Sequence, residues 1–262
     1  MASNSVKNDT GKMQNRMLIG TATRGMVRME WAIARYNQVT PCNWSLVQTN
    51  KAVNDFSPIG FLVADAQNLI VRDAIMGEYE WLFLLEDDNI IPPDCFIKLN
   101  GYMHKDVPVV SGLYFTKSEP AEPIIYRGRG NSYYDKWKLG DKVWCDGVPT
   151  GCLLISGKLL KAMWDESPEY NVSGTITRRV FDQPEKAWYD PEINGYRSLS
   201  GTSDLTWCER VINEGFLKKA GYNKYAKMEY PLLCDTSMLI KHIDNEGKVY
   251  PQNFTWPDGT RS

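Results

Sequence analysis

The sequence lacks any long apolar run: nothing in its 262 residues approaches the roughly 18 consecutive apolar residues read as a membrane span. It also lacks an excess of charge of one sign, since 30 Lys and Arg stand against 32 Asp and Glu for a net charge of −2. That balance removes a global attraction to phosphate backbones or anionic lipid, so nucleic acid is not an expected partner. The cysteines at 42, 95, 145, 152, 208 and 234 form no CxxC pair. The polar opening from Met1 to Gln14 is unlike a secretion signal, and the expectation is reduced, buried thiols in a cytoplasmic protein. The sequons at Asn43, Asn171 and Asn253 then go unused. Histidine is scarce, with 2 residues, and there is no internal repeat, low-complexity segment or clean linker. What is present is 43% hydrophobic residues, enough for a substantial core in one compact domain.

Residues 1–15 are rich in Ser, Asn, Lys and Asp without periodicity and read as a disordered tail. The fold begins at Met17, where Met-Leu-Ile-Gly is a short buried strand entering the turn Thr21 to Gly25. Met26, Met29, Ile33 and Tyr36 then recur at helical spacing. A second strand is expected over 44–49. Val63, Ala66, Ile70 and Ala74 mark a helix ending near Gly77. The run Trp81-Leu82-Phe83-Leu84-Leu85 has the continuous apolarity of a strand covered on both faces, and it stops at Glu86-Asp87-Asp88. A helix over 94–103 and a strand over 107–115 follow. Strands alternating with helices imply an open, largely parallel α/β sheet. Residues 116–143 read as loop, 151–155 as strand and 158–164 as helix. An irregular stretch runs to Gly201, then a helix over 203–214 and a last strand ending at His242.

Residues i and i+2 of a strand share a face, so Glu86 and Asp88 are expected to point together at the carboxyl end, where ligands of open α/β sheets bind. Three carboxylates at one strand exit repel each other. A divalent cation relieves that repulsion, and a solvated acidic turn is the plainer alternative.

The segment WLFLLEDDNIIPP resembles the metal-binding Asp-x-Asp motif of GT-A glycosyltransferases, in the manner of glycosyltransferase family 2, with Glu at the first acidic position. The resemblance covers roughly residues 16–242. It implies a Rossmann-like, open mixed sheet flanked by helices, with 16–115 as the nucleotide-binding half and 116–262 as the acceptor-binding half. It also implies Asp88 as ligand to Mn²⁺ (or Mg²⁺), Glu86 near the ribose or the metal shell, and Asp87 within the donor site. The turn IGTATRG is similar to the nucleotide-contacting opening of that fold. This places Thr21, Thr23 and Arg24 near base and diphosphate, although both threonines also suit turn and cap chemistry.

Asp65 on the next helix is a candidate for the base, or a solvated acid. GTSDLTW resembles the acceptor-side motif of inverting members, with Asp204 as general base; Asp in a first helical turn is favoured by the dipole in any case. His242 is similar to the late His that completes the metal shell, and imidazole suits Mn²⁺ better than Mg²⁺. His104 reads as a helix C-terminal residue. Gly151, in VPTGC, resembles the small-residue turn beneath the donor sugar, and a tight strand entry explains it equally. Arg127 and Arg129 are candidates for closing over the diphosphate, and Trp137, Tyr133, Tyr134 and Trp207 for sugar platforms, with solvated charge and core packing as the plain readings.

The function so implied is transfer of a sugar from a nucleotide-diphosphate sugar, UDP-sugar favoured, to a carbohydrate or other hydroxyl acceptor. A retaining enzyme, a sugar nucleotidyltransferase and a non-catalytic carbohydrate-binding protein are the rivals. The nucleotidyltransferases carry a Gly-rich basic opening loop that IGTATRG matches poorly.

Overall fold

A computed structural model describes residues 17–40, 53–128 and 133–252. The tail expected over 1–15, the strand expected over 44–49, and Cys42, Asn43, Arg129 and Asn253 lie outside the described residues. In chain order the first half contains β1 (Met17–Gly20), α1 (Met29–Tyr36), β2 (Val53–Phe56), α2 (Val63–Met76), β3 (Trp81–Leu85), β4 (Asn89–Ile90), α3 (Cys95–His104) and β5 (Val109–Leu113). The second half contains β6 (Lys142–Cys145), β7 (Cys152–Ser156), α4 (Gly157–Glu166), β8 (Glu169–Val172), β9 (Thr175–Arg178), β10 (Glu185–Asp190), β11 (Gly195–Ser200), α5 (Ser203–Asn213), α6 (Phe216–Lys219), β12 (Leu232–Leu239), β13 (Lys241–Ile243) and β14 (Val249–Tyr250).

The strands that read as continuous apolar runs occupy the centre. β1, β3, β5 and β7 are buried at every position, which requires cover on both faces of the sheet. The seven-stranded order is β2-β1-β3-β7-β5-β12-β6. β1 pairs in parallel with β2 and β3, and β5 in parallel with β12. β7 runs antiparallel between β3 and β5, and β6 antiparallel at the edge beside β12. The sheet is therefore mixed, an arrangement compatible with a Rossmann-like fold. Because β7 inserts between β3 and β5, the two halves of the chain share one core.

Helix α2 packs on β1, β3 and the β9 hairpin. A Cβ on Gly20 would stand 2.2 Å from Ile70 Cγ2, so glycine at the end of β1 is what lets this helix approach closely. The five described cysteines, 95, 145, 152, 208 and 234, are buried and form no disulfide with one another. Among the described residues no helix is long and apolar enough to cross a membrane.

Two expectations need correction. The residues read at helical spacing, Met26, Met29, Ile33 and Tyr36, do not face the core: Met26 precedes α1, and all four are exposed, Met26 by 89%. The helix is instead held by Trp31, whose indole N–H donates to the Glu86 carbonyl at 2.8 Å. On the same side Arg35 donates to Asp55 Oδ1 through Nε at 3.2 Å and lies over the Phe96 ring. The stretch read as irregular between α4 and α5 contains two antiparallel hairpins, β8–β9 and β10–β11. The first turns on Ser173 and Gly174, with φ of 47° and 90°, the pair of left-handed residues that two-residue hairpin loops require.

Candidate metal and ligand site

The carboxyl ends of β1 and β3 open into a cleft of about 810 Å³, whose lining includes Thr23, Arg24, Glu86, Asp87, Asp88 and Lys117. Backbone bonds fix the acidic segment after β3. Glu86 N donates to the Gly151 carbonyl at 3.0 Å and Asn89 N to the Glu86 carbonyl at 3.2 Å, closing a turn. Glu86 and Asp88 are brought together by this turn and by the short β4–β13 pairing, not by alternation along a strand. In that pairing His242 lies opposite Asn89, and Ile243 N donates to the Asp88 carbonyl at 2.8 Å.

One ligand atom from each of Glu86, Asp88 and His242 lies within 4.8 Å of the others. His242 Nδ1 is 2.8 Å from the Phe115 carbonyl; a carbonyl only accepts, so Nδ1 carries the hydrogen, and in the neutral ring Nε2 is a lone pair. Nε2 stands 3.4 Å from Asp88 Oδ1, and Oδ1 is buried without a hydrogen-bond partner. Two acceptors confront each other there, with Glu86 alongside. Tyr114 stacks edge-on against the imidazole, with centroids 5.3 Å apart. A ring fixed by a carbonyl on one nitrogen and presenting the other to a carboxylate is the arrangement of a metal-ligating histidine. The residues present fit a divalent cation with mixed nitrogen and oxygen ligands.

The electrostatics divide the two acids. Burial pushes the Glu86 carboxyl up to about 8, and the negative charges of Asp88 and Asp204 act in the same direction. Burial also works to raise Asp88, but His242, when its ring is protonated, and Lys117 outweigh it and hold this carboxyl below the usual range. Lys117 Nζ binds Asp88 Oδ2 directly. The floor beneath Glu86 is polar and connected: Gln67 Nε2 donates to Thr150 Oγ1 at 3.1 Å, and Thr150 Oγ1 lies 3.5 Å from Glu86 Oε1.

The remaining expected residues are placed unequally. Arg24 is exposed on the cleft wall, and Thr23 lines the cleft while its Oγ1 accepts from Gly25 N at 3.1 Å. Thr21 is buried, its N–H on the Phe56 carbonyl, and it is not part of the lining. Asp65 also lies off the lining and accepts from the Tyr170 hydroxyl at 2.8 Å. Asp204 is in the first turn of α5, where Oδ1 accepts from Leu205 N at 2.8 Å. Its charge is nevertheless felt at Glu86 and Tyr114.

Gly151 borders the site, but the space before its Cα is filled: a Cβ there would meet Asn89 Nδ2 at 2.1 Å, Tyr114 Oη at 2.4 Å and Glu86 Oε2 at 2.6 Å. Its glycine is required by the floor of the site itself. Arg127 lies over the rings of Tyr134 and Tyr230 and donates to Tyr134 Oη at 3.0 Å, an arrangement that commits it to its own loop. Trp137 and Trp207 are buried, Trp207 stacked on Phe181 at 5.5 Å, so neither offers a face to a sugar.

Lys117, Gln67, Tyr114 and Asn89 are the participants that sequence reasoning missed. Asn89 directly follows the acids in the chain, whereas Lys117, Gln67 and Tyr114 sit where the text reads as loop, helix or strand interior, and only the fold brings these three to the acids.

No family model matches the chain, and no curated protein matches it in sequence. Among solved structures, the crystal structure of A197 from STIV is similar at 15% identity with a TM-score of 0.53, over 94% of this chain and 92% of that one. A glycosyltransferase involved in the glycosylation of the major capsid of PBCV-1 aligns at 12% identity with a TM-score of 0.25, over 57% of this chain and 65% of that one. The second likeness is too distant to carry weight. The first extends over nearly the whole of both chains, and what this chain shares with A197 is the fold.

Proposed function

We propose that this protein is a metal-dependent glycosyltransferase that moves a sugar from a nucleotide-diphosphate sugar, UDP-sugar favoured, to an acceptor hydroxyl with inversion at the anomeric carbon. The observation that carries the reading is the confrontation of His242 Nε2 with the unpartnered, buried Oδ1 of Asp88. It stands beside Glu86, and Glu86 and Asp88 line the cleft at the sheet's carboxyl end while His242 lies behind them, off the lining. Asp88, His242 and Glu86 would hold the cation, which when bound neutralises charge developing on a departing diphosphate. The turn after β1 presents Thr23 and Arg24 to the nucleotide side of the cleft. Asp204 takes the proton of the acceptor hydroxyl as it attacks, a role suited to a carboxylate whose charge already reaches Glu86.

Calorimetric titration with UDP, GDP and CDP, each with and without Mn²⁺, tests the reading in wild type and Asp88→Ala. Mn²⁺-dependent binding of one nucleotide, lost in the variant, is the expected result. Binding of none of the three sinks it.

A further inference from the structure

Lys117 follows the end of β5, in a segment with no part in the ligand set above. Its ammonium sits on Oδ2 of Asp88, while Oδ1 of the same carboxylate faces His242 at 3.4 Å. The Lys117 side chain is 34% exposed, and it lines the cleft together with Glu86, Asp87, Asp88 and Asp244. A diphosphate approaching such a wall is repelled unless cations stand between. Two arginines also line the cleft. Arg28 is already engaged, Nη1 on the Asn245 carbonyl at 3.1 Å and Nη2 on Glu30 at 3.2 Å, and Arg24 belongs to the turn after β1. Lys117 is the cation in contact with the proposed metal ligand itself.

We infer that Lys117 is the protein's own cation at the diphosphate site: it shares Asp88 with the divalent ion and gives the donor's diphosphate a charge-assisted hydrogen bond. The inference rests on the glycosyltransferase reading and adds a ligand for the diphosphate. Its two consequences have opposite signs. Toward the free metal ion, Lys117 is a like charge competing for Asp88. Toward the diphosphate, it is a partner. A lysine that merely held Asp88 in position would favour both ligands alike.

Mn²⁺ binding is read from the loss of the free-ion EPR signal, and binding of UDP, GDP and CDP at saturating Mn²⁺ by calorimetry. Both are measured for wild type, for the neutral variants Lys117→Met and Lys117→Gln, and for Lys117→Arg. The neutral variants are expected to bind Mn²⁺ alone roughly threefold or more tightly, because a like charge is gone. They are expected to bind the nucleotide about tenfold or more weakly, because a charged hydrogen bond is gone. Lys117→Arg stays near wild type in both. Weaker Mn²⁺ binding by the neutral variants, or nucleotide binding equal to wild type, overturns the inference while leaving the glycosyltransferase reading intact. A wild-type protein that binds neither Mn²⁺ nor any of the three nucleotides overturns that reading, and this inference with it.

Discussion

Nε2 of His242 stands 3.4 Å from Oδ1 of Asp88, and no hydrogen bond joins them, since Oδ1 has no hydrogen-bond partner. The Phe115 carbonyl on Nδ1 fixes the ring hydrogen on the far side. A cation between the two acceptors satisfies both. Asp88→Asn and His242→Gln are each expected to weaken Mn²⁺ binding by more than the roughly 10–100-fold that loss of an outer-shell partner costs. Titration followed by EPR checks this. Undiminished affinity in His242→Gln would remove the histidine from the site.

Gly151 and Gly101 make a matched pair. A Cβ at Gly151 runs into Asn89, Tyr114 and Glu86, whereas one at Gly101, inside α3, meets nothing within 4 Å. Gly151→Ala is expected to lower stability by about 1–3 kcal/mol through overpacking and to weaken Mn²⁺ binding as Glu86 is displaced. Gly101→Ala is expected to raise stability by about 0.5–1 kcal/mol, the helical cost of glycine. Urea denaturation measures both, and equal effects would mean that the floor of the site yields.

How far the sequence could be read follows from which forces act locally. β1 and β3 were legible to the residue because a strand covered on both faces must be apolar throughout. Helix α2 was legible from its stripe of Val63, Ala66, Ile70 and Ala74, of which the last three are buried and Val63, at the helix start, is exposed. The face of α1 was not, because its anchors are a tryptophan donating to a carbonyl and an arginine paired with Asp55. Neither contact leaves a periodic trace. The acids and His242 stood out by residue type and order. Lys117 did not, because nothing in its own stretch of chain says that the end of β5 lies beside the turn after β3.

Glu86 sets a pH dependence of the metal-free protein. Its carboxyl is raised from 4.5 to about 8 in the folded state, so the fold binds a proton that the unfolded chain gives up. The contribution to stability is fully present below the unfolded value near 4.5 and is lost as pH rises through about 8. Melting temperature is therefore expected to fall between those limits, and Glu86→Gln to flatten that slope. A wild-type slope that persists in Glu86→Gln would assign it to another group.

Asp204 separates a helix-starting role from a chemical one. Its Oδ1 accepts from Leu205 N at 2.8 Å in the first turn of α5, where Thr202 makes no side-chain cap. Asparagine keeps that acceptor and gives up only the negative charge, which at a helix start is worth about 0.3–1 kcal/mol. Asp204→Asn is therefore expected to fold and to bind nucleotide with Mn²⁺ nearly as wild type does, while turnover falls by about 100-fold or more, the contribution of a general base. NMR of the wild-type product completes the test, since proton removal during in-line attack inverts the anomeric centre. A product of retained configuration, or full turnover in Asp204→Asn, would leave this carboxylate with the helix alone.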